Sequence, residues 1–173
     1  MSNNWIKQIF RFVIIILLQV VVFKGIHIDI KGFNYVSIIF FPLFLMILPI
    51  RTPGALLLGI GFITGFTVDL FYSSPGLHAS AALLLTFLRP YILKALEPRG
   101  GYSNSEAPVY TELGFSWILS YVAILLFAHI LIYTSMEIFA ISEFLTIWLK
   151  TIASFIFSYV FIVAFFIISN PRI

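Results

Sequence analysis

The chain predicts an all-α integral membrane protein, a single domain built as a bundle of six transmembrane helices, and three observations carry that expectation. Apolar residues make up 61% of the 173 positions and charged residues only 10%. The apolar residues lie in runs of roughly 16 to 23, enough or nearly enough to cross a hydrocarbon core of ~30 Å. Those runs are continuous rather than alternating, which selects helices over a β-barrel, because backbone in lipid must satisfy its own hydrogen bonds. The formal charge of +3 therefore reports orientation in a membrane rather than affinity for nucleic acid. The chain has no cysteine, which excludes disulfides and thiolate or zinc-thiolate chemistry.

The first span, about 6–23, has Lys7 and Arg11 at its start and no small-residue cleavage site near Lys24-Gly25, so it reads as a retained anchor. Gln19 is its one polar interior residue and suits an interhelical hydrogen bond. A short polar connector, Lys24 to Asn34, leads to the second span, 35–50. This span is short and holds Pro42, which removes a backbone hydrogen bond and predicts a kink. It is short enough to be tilted or partly re-entrant, which would leave five full spans. Pro49 ends it, and the tight turn Arg51-Thr52-Pro53 makes the third span, 54–71, its antiparallel neighbour.

The third span carries Gly61, Gly65 and Asp69 at i, i+4 and i+8, so a helix places two bare backbone patches and one carboxylate on a single stripe. A carboxylate facing lipid is costly, so Asp69 should face protein or water near the helix end. Ser74-Pro75 reads as an N-cap with a first-turn proline, and Gly76 and His78 open the fourth span, 76–96. His78 then lies near Asp69 in depth. The run Ala79 to Ala82 is slender enough for close contact with the third span. Arg89, Pro90, Lys94 and Arg99 gather at the far end.

Residues 97–113 form the one long polar stretch, with Gly100-Gly101 and a Ser-Asn-Ser run, and read as a flexible loop or a partner contact. The fifth span, 113–133, places Trp117 and Tyr133 at opposite interfaces and sets Tyr121, His129 and Tyr133 on one face for packing. The sixth, 144–168, carries Thr151, Ser154 and Ser158 at helical spacing as a helix-contact stripe. Lys150 lies about two turns in, within snorkelling reach of the surface. With both termini cytoplasmic, seven of the ten Lys and Arg fall inside and three (Lys24, Lys31, Lys150) outside, as the positive-inside rule expects.

Gly61-Phe62, Gly65, Val68-Asp69-Leu70-Phe71, Ser74, Gly76-Leu77-His78-Ala79 and Arg89-Pro90-Tyr91-Ile92-Leu93 resemble the core signature of the bacterial rod shape-determining MreD family, in its Bacteroidota form. The resemblance implies a small inner-membrane subunit of the cell-elongation machinery. Such a subunit binds the single-span periplasmic protein MreC and works with MreB, RodZ, RodA and a class B penicillin-binding protein in lateral wall synthesis. It also implies a fold similar to the substrate-binding subunits of energy-coupling-factor vitamin transporters. Gly61, Gly65, Asp69, Gly76, His78 and Arg89 are the positions that the resemblance marks, as helix-packing and partner-binding residues.

Three function classes follow. A non-enzymatic scaffold needs only slender faces for another protein's transmembrane segment, and no cofactor or metal. A small-solute transporter subunit would need a pocket near Asp69, His78 and His129. It would also be expected to carry small-residue packing on its first helix, where Phe12 to Phe23 has neither alanine nor glycine. An intramembrane enzyme would need paired carboxylates or a His-Glu-x-x-His motif, and only Asp69, with His78, offers a proton-handling pair.

Overall fold

The structure is a computed structural model that describes residues 2–30, 33–102, 108 and 113–169. Helix α1 (Ser2–Leu17) continues into a π turn, Leu18–Val22, and a 3-10 turn, Phe23–Gly25. Strands β1 (His27–Ile30) and β2 (Phe33–Ser37) form an antiparallel hairpin with a bulge between Ile28 and Asp29. A short helix α2 (Pro42–Met46) precedes four long ones, α3 (Gly54–Tyr72), α4 (Leu77–Ala95), α5 (Phe115–Ile138) and α6 (Phe144–Ser169). The expectations placed on Lys31, the Ser103-Asn104-Ser105 run and Arg172 lie outside the described residues.

Among the described residues, four helical stretches are long and apolar enough to cross a membrane: Ile6–Gly25, Gly54–Tyr72, Phe115–Ile138 and Phe144–Ile168. Helix α4 equals α3 in length at 19 residues, but His78, Arg89, Pro90 and Lys94 dilute its hydropathy. The amino group of Lys24 donates to the Phe71 carbonyl at 2.6 Å, so α1 and α3 end together and run parallel. Helix α4 returns alongside α3. Trp117 Nε1 donates to the Leu96 carbonyl at 2.7 Å and starts α5 beside the end of α4. Tyr159 and Leu119 then join α6 antiparallel to α5.

The second predicted span is corrected by the structure. Residues 35–50 do not form a helix: the chain is extended through β2 and on to Phe40, makes one helical turn at α2, and leaves again before Pro49. It still travels the length of the bundle, because it links the end shared by α1 and α3 to the start of α3. Every apolar side chain from Ile38 to Leu48 is at most 5% exposed, so other elements enclose this strand-like pass on all sides. Non-helical backbone is tolerated at membrane depth only when it is buried in protein in this way. The β-branched run Val36 to Ile39, with Ser37 inside it, favours extension. Pro42 is positioned at the first turn of α2, where a missing N–H costs nothing.

Outward faces are apolar along the helices. Ile6, Phe10, Val21, Ile63, Leu70 and Val160 are each at least 60% exposed, as lipid-facing side chains are.

Candidate functional site

Asp69 accepts five hydrogen bonds from described residues. One carboxylate oxygen accepts from Ser74 Oγ at 3.0 Å, from the His78 backbone N–H at 2.9 Å and from His78 Nδ1 at 2.9 Å. The other accepts from the N–H groups of Gly76 and Ala79, both at 3.0 Å. These backbone donors are the orphan N–H groups of the first turn of α4, so the cap of α4 is supplied by the last turn of α3. This corrects the expectation that Ser74 would cap α4. The N-cap is Gly76, whose φ of +89° suits glycine, and Ser74 instead donates to Asp69. The five donors fill the acceptor capacity of the carboxylate.

The glycine stripe lies beneath this cap, against the same helix. A Cβ on Gly65 would stand 2.5 Å from the Ala79 Cα and 2.5 Å from the His78 carbonyl oxygen. One on Gly61 would stand 2.6 Å from Thr86 Cγ2. The small residues therefore bring two backbones of this chain together, and α4 covers the stripe. Of the six positions that the sequence singled out, Gly61, Gly65, Asp69, Gly76 and His78 thus form one continuous α3–α4 seam.

Arg89 stands apart, toward the opposite end, and is 1% exposed. Its Nε donates to Tyr121 Oη at 2.8 Å, and its terminal nitrogens reach the carbonyls of Met46, Leu48 and Pro49. Tyr121 itself donates to the Met46 carbonyl at 3.0 Å. The guanidinium therefore closes the end of α2, whose carbonyls have no helical partners and whose dipole favours a cation.

The other end of the buried pass is held similarly. Gln19, inside the π turn, accepts from the N–H groups of Phe40 at 2.6 Å and Phe41 at 3.1 Å, and donates to the Ile38 carbonyl at 3.1 Å. Ser158 Oγ accepts from the Ile39 N–H at 2.8 Å and Ser154 Oγ from the Ser37 N–H at 3.0 Å. The serine stripe predicted to touch a helix instead satisfies extended backbone. Only Thr151, bonded to Thr134 at 2.6 Å, joins two helices. Lys150 does not reach the surface as a free cation: it is 7% exposed and pairs with Glu137 at 2.7 Å.

Between these clusters lies a cavity of about 220 Å³, lined by Gln19, Phe23, Ser37, Ile38, Ile39, Tyr72, Ser74, Leu77, His78, Tyr133 and Glu137. His78 sits between the rings of Tyr72 at 4.9 Å and Tyr133 at 4.8 Å. His129 does not line it: its ring packs edge-on to Phe41 at 5.2 Å, with both nitrogens buried. Among the described residues, no group of three or more His, Asp or Glu could hold a metal ion. Spacing alone placed Asp69 and His78 together, but it carried no signal that Gln19, Tyr121, Ser154 and Ser158 serve backbone 19 to 119 residues away.

No family model, curated protein or solved structure matches the chain.

Proposed function

We propose that this chain is a non-enzymatic scaffold subunit of a cell-elongation (rod) complex in the cytoplasmic membrane. It binds an MreC-like single-span periplasmic protein and helps organise lateral peptidoglycan synthesis with MreB, RodZ, RodA and a class B penicillin-binding protein. The resemblance of residues 49–99 to the MreD signature supplies the partners. The observation that carries the scaffold reading is the use made of the buried polar side chains. Asp69, Arg89, Tyr121, Gln19, Ser154 and Ser158 all bond to this chain's own backbone, which makes a stiff bundle. In this reading α1, residues 38–50 and α3 to α6 make six passes, with both termini cytoplasmic and the Ser74 end periplasmic. Because α4 covers the glycine stripe, the partner's helix meets a flanking face of α3, where Phe62 and Phe66 stack at 5.7 Å and are about half exposed.

A second reading, a substrate-binding subunit of a vitamin-type transporter, is favoured by the cavity beside His78. One experiment separates the two: tagged protein is extracted from its native membrane in mild detergent, and its companions are identified by mass spectrometry. A single-span, coiled-coil periplasmic protein is expected with wild type, and less of it with the Phe62→Ala, Phe66→Ala variant. Recovery of an ATPase module without that partner would overturn the scaffold reading and favour transport.

A further inference from the structure

We infer that the cavity at the Ser74 end is a binding site for a small uncharged ring compound that carries a hydroxyl. The inference rests on the cavity itself and on neither reading of function above.

Size is the first argument. A sealed apolar cavity of about 150 Å³ is known to hold benzene, so this partly open, mixed polar and apolar cavity of about 220 Å³ has room for one ring with a polar substituent. Shape is the second. The His78 ring lies 4.9 Å from that of Tyr72 and 4.8 Å from that of Tyr133, both at tilted angles, and Phe23 adds a fourth aromatic wall. Aromatic surfaces so arranged accept another ring in offset or edge-on contact.

Two buried side chains supply the polar argument. His78 is 1% exposed, and its Nδ1 lies 2.9 Å from Asp69 and 3.1 Å from Ser74 Oγ. Nδ1 is thus taken, and the other ring nitrogen is a polar atom that a hydroxyl, donor and acceptor at once, can meet. Tyr133 is 6% exposed. Among the described residues, neither His78 Nε2 nor the Tyr133 hydroxyl has a hydrogen-bond partner, yet neither is sealed off as both nitrogens of His129 are. Both side chains line the cavity, so their small remaining exposure opens into it. Buried polar groups are ordinarily bonded. A bound hydroxyl meets His78 Nε2 and accepts from the tyrosine O–H.

The charges at the site explain why the ligand is uncharged. The Glu137 carboxylate is neutralised by Lys150 at 2.7 Å, and that of Asp69 is saturated by five donors. A charged ligand would be desolvated here without a counter-ion.

The test uses the full chain in lipid nanodiscs with two fluorinated probes of matched shape, 4-fluorophenol and 4-fluorotoluene, followed by 19F NMR against empty nanodiscs. Saturable binding of 4-fluorophenol is expected, at least about 5-fold tighter than 4-fluorotoluene. Tyr133→Phe, which removes a hydroxyl that bonds nothing in the fold, should weaken it about 2- to 10-fold, as the loss of one hydrogen bond does. Equal affinity for both probes, partition no different from empty nanodiscs, or an unchanged affinity in Tyr133→Phe would each overturn the assignment.

Discussion

At the scale of single residues, three glycines of α3 predict three different outcomes for the same added methyl group. At Gly65 the new Cβ meets backbone atoms of α4 at 2.5 Å, which can move only if the helices part. Gly65→Ala is therefore expected to destabilise by about 1–3 kcal/mol, the usual cost of overpacking. At Gly61 the obstacle is the Thr86 side chain, which can turn away, so Gly61→Ala should cost less. Gly59 faces open space, and Gly59→Ala should stabilise by roughly 0.5–1 kcal/mol through helix propensity. Denaturant titration in mixed micelles would read all three, and an order other than 65, 61, 59 would contradict the seam.

Asp69→Asn keeps the shape of the side chain but turns one acceptor into a donor facing backbone N–H groups. It should cost about 2–3 kcal/mol or more, as loss of charge-assisted bonds does, and loosen the first turn of α4. Tyr102, outside the spans, donates to the Leu93 carbonyl. Burial first, and then Glu97, push its phenol up to about 12. Between pH 10 and 12 the unfolded chain gives up this proton and the folded one keeps it, so stability falls as pH rises through that window. Ultraviolet titration of Tyr102→Phe should lose one late-ionising tyrosine relative to wild type; an unchanged high-pH curve would refute the assignment.

At the scale of elements, the decisive one is the extended pass from Ser37 to Leu48. A helix satisfies its own backbone, and outside the turn of α2 this pass does not, so its N–H and C=O groups depend on side chains of the π turn after α1 and of α4, α5 and α6. Ser158→Ala should free the Ile39 N–H at a cost of about 1–3 kcal/mol. Gln19→Leu should release Phe40 and Phe41 together. Hydrogen exchange gives a local readout: amides at 39–41 should lose protection in these variants, while the helical amides of α3 and α4 keep theirs. Uniform loss across the bundle would mean that the pass is not held in the way described. At its other end Arg89→Lys keeps the charge, but it loses the planar fork that reaches Tyr121 and three carbonyls, so the same measurement should report opening at 46–49.

At the scale of the whole molecule, the order of passes makes a topological prediction. Residues 51 and 99 lie at one end of the bundle and 24 and 143 at the other. The chain has no cysteine, so single cysteines at these positions can be labelled without background. Those at 51 and 99 should react from one side of the membrane and those at 24 and 143 from the other. Labelling of 24 and 51 from the same side would mean that residues 38–50 turn back within the bundle rather than traverse it.

The sequence by itself determined that the chain belongs in a membrane, where four of its long helices lie, and that Gly61, Gly65 and Asp69 share a face. Each of these depends on run length or on a 3.6-residue period, and both are local properties of the chain. Only the tertiary structure decided what that face meets and what becomes of residues 35–50. An apolar run looks the same whether lipid or protein surrounds it, so hydropathy reads Val36 to Leu48 as another helix. The outcome turned on donors and acceptors far away in the chain: Gln19, Arg89, Tyr121, Ser154 and Ser158 replace the hydrogen bonds that a helix would have made for itself. No periodicity records such pairings, because they exist only once the helices have packed.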